Sequence, residues 1–286
     1  MDFAAKPPIV VSTASQEAFE AKARRLGFNP SNPWIGGYVD YEWHHLRYIA
    51  EALPDQLDGM KILEFGCNVG ASAILFAALG AKVTAVDISH DLVELARLNA
   101  NRYGFDNIDF KCVADTRQLP FADHAFQMVS CNSVLEYVTP TALSAVQQEM
   151  DRVLAPGGIV LVTGTSNRLA PREVHSGRLL INYLPRSLDT VLGGNPQRGI
   201  WPWSARSGFG DYYDNLDHAG NDGLFARSRR AMGMAKSRLA VLLMAGKILG
   251  VSPGLLSPNI FCVLRKRARH PEAPIKNTRQ KNPRPL

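Results

Sequence analysis

An α/β fold, a mostly parallel sheet with helices on both faces, is predicted by three features of this 286-residue sequence. First, short apolar runs alternate with helical stretches between Met60 and Thr165, the pattern of strands covered on both faces. Second, the first apolar run closes on a glycine-bearing turn, Glu64-Phe65-Gly66-Cys67-Asn68-Val69-Gly70. Third, Glu64, Asp87 and Asp115 stand at the carboxyl ends of three consecutive predicted strands. In an open parallel sheet those ends converge on a ligand crevice.

The elements follow in order. Residues 15–26 predict a short helix with a serine cap, and the Gly/Pro/Asn/Trp stretch 27–37 breaks it. Residues 40–53 read as one amphipathic helix ended by Pro54. MKILEFG, from Met60, is the first strand. Residues 69–79 are helical, and Gly80 stops them. AKVTAVD is the second strand, followed by a helix over 89–102 opened by Ser89. NIDFKCV and AFQMVSCN are the third and fourth strands. A helix over 139–153 opens at Thr139-Pro140, proline being suited to the first helical position. GGIVLVTGT is the fifth strand. After Thr165 the rhythm stops. Residues 166–257 are rich in Gly, Arg, Asn and Pro, with aromatic islands at Trp201, Trp203, Tyr212 and Tyr213. One more helix is predicted over 234–250 and a last strand from Asn259.

Composition narrows the function classes. Hydrophobic residues make up 46%, enough for an ordinary globular core. The four cysteines are scattered and form no CxxC pair, which argues against a zinc or disulfide framework. Charged residues interrupt every apolar run before it could span a bilayer, and the N-terminus lacks a signal-peptide layout. A cytoplasmic location is the expectation. The net charge of +6 is uneven: residues 1–164 carry 12 basic and 19 acidic side chains, residues 165–264 carry 12 and 6, and residues 265–286 carry 8 and 1. The basic end can serve solubility alone, or give a weak attraction to anionic membranes or acidic ligands.

A glycine in the first strand-to-helix turn lets a ligand approach backbone, and the helix start offers free N–H groups. Asp87 lies 23 residues after Glu64, at the tip of strand two, where the ribose of an adenosine would present two hydroxyls. Each acid alone could be a cap or a turn former; three in step are much harder to explain that way.

At these residues the chain resembles the class I S-adenosylmethionine-dependent methyltransferases, particularly the small-molecule group called type 11. The resemblance covers roughly residues 60–164, with five motifs in order. E-x-G-x-x-x-G is met by Glu64, Gly66 and Gly70, with Asn68 where the family usually has another glycine. Asp87 closes strand two and is followed by Ile88, whose counterpart packs on the adenine. Asp115, the expected partner of the adenine amino group, opens with Thr116 a stretch similar to the family's A-D-x-x-x-L-P-F-x-D-x-x-F-D-x-V, with Gln127 in place of the usual Asp. Cys131-Asn132-Ser133-Val134-Leu135-Glu136-Tyr137 carries Tyr137 where relatives commonly have His. Arg152-Val153-Leu154-Ala155-Pro156-Gly157-Gly158 is the usual turn before strand five.

The resemblance implies a Rossmann-like, seven-stranded-type sheet with an N-terminal helical cap and a C-terminal substrate-binding insertion. It implies S-adenosyl-L-methionine as donor, held by Glu64, Gly66, Cys67, Asn68, Gly70, Asp87, Ile88, Asp115, Thr116 and Asn132, without a metal. Asn132 is expected near the methionine part. Cys67 is expected either to contact the donor through its backbone or simply to pack. The segments implied are a cap (1–59), the donor-binding core (60–165), an acceptor-binding insertion or lid (166–257), a closing strand (258–268) and a basic disordered tail (269–286).

Methyl transfer needs in-line positioning, exclusion of water and, for a hydroxyl acceptor, a base. Asn132 and His175 are the candidate catalytic residues. His175 sits in NRLAPREVHSGRLLINYLPR just beyond strand five, a stretch similar to a lid in some relatives; it is either the base or a brace. His44 and His45 are adjacent, and only one can face inward. The expected acceptor is a small molecule, hydrophobic or acidic, bound among the aromatics and arginines of 166–257, unless Trp201 and Trp203 merely anchor a long loop. The helix around RLAVLLMAGKIL is expected to pack on the sheet rather than lie on a membrane.

Three other classes compete. A dehydrogenase would need G-x-G-x-x-G, which Asn68 breaks. A nucleic-acid methyltransferase would carry N/D-P-P-Y/F where CNSVLEY stands. A catalytically silent, methyltransferase-like binding or regulatory protein rests on the Asn68 and Gln127 departures.

Overall fold

The computed structural model describes residues 6–191, 194 and 197–268. Three helices precede the sheet: α1 (Thr13–Arg25), α2 (Tyr38–His44) and α3 (Leu46–Ala52). Ser12, rather than a serine three residues on, caps α1 by accepting from Ser15 N at 3.1 Å. The single helix expected over 40–53 is two. His45, at φ −126° and ψ −71°, leaves helical geometry, and its Nδ1 sits 2.7 Å from the Tyr41 carbonyl. The bend turns α2 and α3 onto different parts of the sheet's end.

The central run is β1 (Lys61–Phe65), α4 (Ala71–Ala78), β2 (Lys82–Asp87), α5 (His90–Arg102), β3 (Asp109–Cys112), β4 (Phe126–Asn132), α6 (Pro140–Val153) and β5 (Leu154–Thr163). As expected, Ser89 caps α5, accepting from Leu92 N at 3.3 Å. The later segment adds β6 (Tyr213–Asn215), α7 (Leu224–Ala231), α8 (Lys236–Leu249) and β7 (Cys262–Lys266). Sequence reasoning missed β6 and α7. The first is three residues of a polar edge strand; the second is a two-turn helix rich in arginine.

The sheet order is β3-β2-β1-β4-β5-β7-β6, with β1 to β5 parallel and β7 antiparallel to both neighbours. The order reverses between β1 and β4, and such a switch point opens a crevice outside the strands' carboxyl ends. Alternation along β1 feeds two cores. Ile62 packs with α4 and α5 under α2, α3 and α7, while Leu63 and Phe65 pack with α6 on the other face. Buried Arg102 ties α1 to α5: its guanidinium lies 4.3 Å from the Phe19 ring and donates to the Gly36 carbonyl at 2.7 Å.

Helix α8 departs from expectation. Leu239, Leu242 and Leu243 do pack inward, but Val241, Met244 and Ile248 face out. The tail expected over 269–286 lies outside the described residues. No helix among them is long and apolar enough to cross a membrane.

Candidate active site

A cleft of about 1150 Å³ opens at the switch point. Its floor is the turns after β1, β2 and β4. Its roof is α2 and α3, with Trp34, Tyr38, Tyr41, His45, Leu46 and Ile49. A smaller hollow of about 40 Å³ beneath it is lined by Glu64, Cys67, Ser72 and Asn132.

The first turn is shaped by backbone. Gly66 has φ +77°, and an added Cβ would lie 2.4 Å from a Val134 methyl, so only glycine fits. Asn68 sits at φ +48°, a left-handed conformation that asparagine adopts with little strain. Its N–H donates to Asp87 Oδ2 at 2.9 Å, while Ser89 N donates to Oδ1 at 3.0 Å. Asp87 is thereby locked at the tip of β2 with its carboxylate in the cleft wall. Beside it Ile88 is 65% exposed, an apolar side chain left for a ligand to cover.

Asp115 and Thr116 also line the cleft. Asp115 is already engaged: the Arg117 guanidinium bonds both its oxygens at 2.9 Å and holds the carboxyl down at about 2. Gly70 does not line the cleft. At φ +79° it starts α4, and an added Cβ would meet Ala96 and the Phe110 ring. Cys67 is buried, its thiol pushed well up by burial. Its N–H goes to the Val86 carbonyl and its own carbonyl accepts from Gly70 N, so both backbone groups are taken.

The deep end holds two buried carboxyl groups. Burial pushes Glu64 up to about 8, which Ser130 and Ser72 alongside only partly oppose, and Oε2 has no hydrogen-bond partner. Glu42, from α2, is pushed up to about 7 by burial despite bonds from Asn132 and Tyr38. Asn132 knits this end together. Its Nδ2 donates to Glu42 Oε1 at 2.8 Å and to Ser72 Oγ at 3.0 Å, and its Oδ1 accepts from Thr163 Oγ1 at 3.1 Å. Sequence reasoning missed Glu42 and Tyr38. The one signal was a carboxylate at helical spacing among Val39, Trp43 and Leu46 on α2.

Over the other part of the cleft stands His175. Its Nε2 lies 2.7 Å from Glu136 Oε1, on a fully buried carboxylate that also accepts from Ser166 N at 3.2 Å. That hydrogen bond raises the histidine above its ordinary range, more than burial lowers it. With Nε2–H donating, Nδ1 carries the lone pair. The loop is fixed by Glu173, whose carboxylate accepts from the N–H groups of His175 and Ser176. Buried Asn167 and Asn182 tie the surrounding segment to the body; Asn167 Nδ2 donates to the carbonyls of Leu255 and Ser257 at 2.8 Å each.

The structure thus brings Gly66, Asn68, Asp87, Ile88, Asp115, Thr116, Asn132 and His175 to one cleft, with Glu64 and Cys67 just beneath. Of segment 166–257, Val174, His175 and Arg229 line it. Trp201 and Trp203 instead stack on each other at 4.9 Å, outside it. Of the adjacent histidines, His45 faces in. Among the described residues no cluster of His, Cys, Asp or Glu could hold a metal.

Comparison with known proteins agrees with this geometry. Residues 62–158 match the methyltransferase domain family. The ubiquinone biosynthesis O-methyltransferase of Xylella fastidiosa is 31% identical over 125 residues, 44% of this chain and 49% of that one. Its Idiomarina loihiensis counterpart is 33% identical over 114 residues, 40% and 45% of the two chains. The chain therefore spans about half the length of these curated relatives. An S-adenosylmethionine dependent methyltransferase from Mesorhizobium loti shares the fold, at a TM-score of 0.51 and 17% identity over 80% of this chain and all of that one. So does the cyclase SpnF, at 0.50 and 18% over 91% and 99%. Residues 62–158 thus match a methyltransferase domain, and the cofactor that this match implies is S-adenosyl-L-methionine.

The residues present fit that cofactor, a cation at both its sulfonium and its amino group. Two buried carboxyl groups, one of them Glu64 with an unpartnered oxygen, sit at the deep end, a carboxylate held by two backbone N–H groups stands at the tip of β2, and an exposed isoleucine flanks it.

Proposed function

We propose that this protein transfers a methyl group from S-adenosylmethionine to an oxygen of a small, largely apolar acceptor. The observation that carries the reading is one continuous cleft joining the Asp87–Asn132 floor to the His175–Glu136 pair.

In this reading Asp87 accepts the two ribose hydroxyls, Ile88 lies on the adenine, and Glu64, Glu42 and Asn132 surround the methionine end. The cofactor supplies an activated methyl group. Tyr38 and Tyr41 close the roof against water. His175 takes the acceptor's proton at Nδ1, and Glu136 orients the ring and balances the charge it gains. Sequence relatives named for O-methylation in ubiquinone biosynthesis support an oxygen acceptor of apolar character, as do the aliphatic and aromatic roof residues. The working place is the cytoplasm, and the expected partner is the small acceptor rather than nucleic acid.

The test is donor consumption with phenolic and aliphatic alcohols, read by mass spectrometry as a product heavier by one methyl group. Donor binding by calorimetry with no transfer to any acceptor class would favour the silent, regulatory reading. The cyclase sharing this fold shows that the fold alone does not choose the reaction.

A further inference from the structure

Helix α8 is apolar on the side that faces away from the protein. Leu239 and Gly246 are buried on its inner side. At Gly246 the helix meets the Val251 carbonyl and Ala219 so closely that a Cβ would stand 2.8 Å from that oxygen, which fixes the helix's rotation. The opposite side then presents Val241, Met244 and Ile248, at 66%, 63% and 76% exposure, spaced by three and four residues into one stripe. Lys236 and Lys247 flank the stripe on one side and Arg238 on the other. All three are exposed.

Along this stretch of chain the charge has one sign. From Gly223 to Pro271 the sequence contains no Asp or Glu but ten Lys and Arg. An apolar stripe flanked by Lys236, Arg238 and Lys247 complements a surface that is apolar beneath and anionic above. A soluble acidic partner would satisfy the cations but not the stripe. The basic segment 269–286 holds one Ile and one Leu, too little apolar surface to cover it.

We infer that the outer face of α8 is a docking surface for an anionic phospholipid bilayer. The helix lies in the headgroup plane with Val241, Met244 and Ile248 inserted, and Lys236, Arg238 and Lys247 paired with lipid phosphates. Because α8 packs on α7, and α7 packs on α3 and contributes Arg229 to the cleft, docking would set one side of the cleft mouth near the membrane. The docking claim itself stands apart from the methyl-transfer reading.

The experiment is flotation of the full chain with two vesicle types, phosphatidylcholine alone and phosphatidylcholine with phosphatidylglycerol in equal parts. The expected result is recovery with the anionic vesicles only, reduced by added salt. The triple change Lys236→Gln, Arg238→Gln, Lys247→Gln should lower partitioning about fivefold per charge, about a hundredfold in all. Val241→Ser with Ile248→Ser should abolish it. These positions are outward-facing, so the melting temperature should stay the same. Failure of the parent chain to bind anionic vesicles would overturn the proposal, as would binding that survives the serine variant. So would a parent dimer in sedimentation that the serine variant converts to monomer without any lipid binding, since the stripe would then be a contact between copies.

Discussion

The Asn132 amide donates to the Glu42 carboxyl at 2.8 Å, joining the tip of β4 to a helix 90 residues earlier in the chain. The roof of the cleft is therefore registered against its floor by one side chain. Removing it leaves a buried carboxyl without its amide. Asn132→Ala should lower donor affinity by about tenfold, because leaving a buried polar group without its partner costs about 1–3 kcal/mol. Calorimetry showing unchanged affinity would remove Asn132 from the donor site.

The two buried carboxyl groups make donor binding depend on protons. Glu42 and Glu64 are raised to about 7 and about 8, so near neutral pH both are substantially protonated. A cation arriving beside them favours the ionised form, and protons leave. Affinity should rise as pH climbs through 7 to 8, and calorimetry in two buffers of different ionisation enthalpy should show net release. Absence of any buffer dependence would place the donor's charge elsewhere. The free protein carries the converse. Because these folded values lie above the unfolded ones, the stability they contribute is complete below about 4.5 and is lost as pH rises through 7 to 8. Glu64→Gln should flatten that decline in melting temperature.

Asp87→Ala should weaken the donor by a further hydrogen-bond increment, about 1.5–3 kcal/mol for each charged bond lost. The same carboxylate accepts from Asn68 and Ser89, so some melting temperature should go with it. Asp87→Asn separates the two effects, since its amide oxygen can keep one backbone contact. Normal affinity in both variants would sink the ribose assignment.

His175→Gln should reduce turnover by roughly 10²–10⁴-fold with donor affinity retained. In the unmutated protein the rate of any transfer should rise with pH through a value above that of an ordinary histidine, because the Glu136 bond raises it. Glu136→Gln should move that limb to lower pH. A brace would show a different pattern: a drop in melting temperature, modest loss of turnover and no displaced limb.

The local chemistry of the site was legible because each piece is contiguous in sequence. A strand and its glycine turn are set within a few residues, and the structure joins Asn68 of that turn to Asp87 by a hydrogen bond. Glu42 and Glu136 were not legible as functional. Each is an ordinary helical or turn acid until packing buries it opposite a partner 90 or 39 residues away. For the aromatic pair Trp201 and Trp203, composition left acceptor lining and loop anchoring both open, and the rings stack on each other outside the cleft. The break at His45 was hidden because the apolar spacing runs on through it.

The place of β7 in the sheet has a consequence for synthesis. Cys262–Lys266 fills the gap between β5 and β6, though it is made last of the seven strands. While the chain is still emerging from the ribosome, one edge of β5 stays open and β6 has no neighbour at all. An open parallel edge is a template for the wrong strand. Nascent chains paused before Asn259 should therefore be the aggregation-prone ones and the ones that holdase chaperones retain, and release should coincide with the emergence of those few residues.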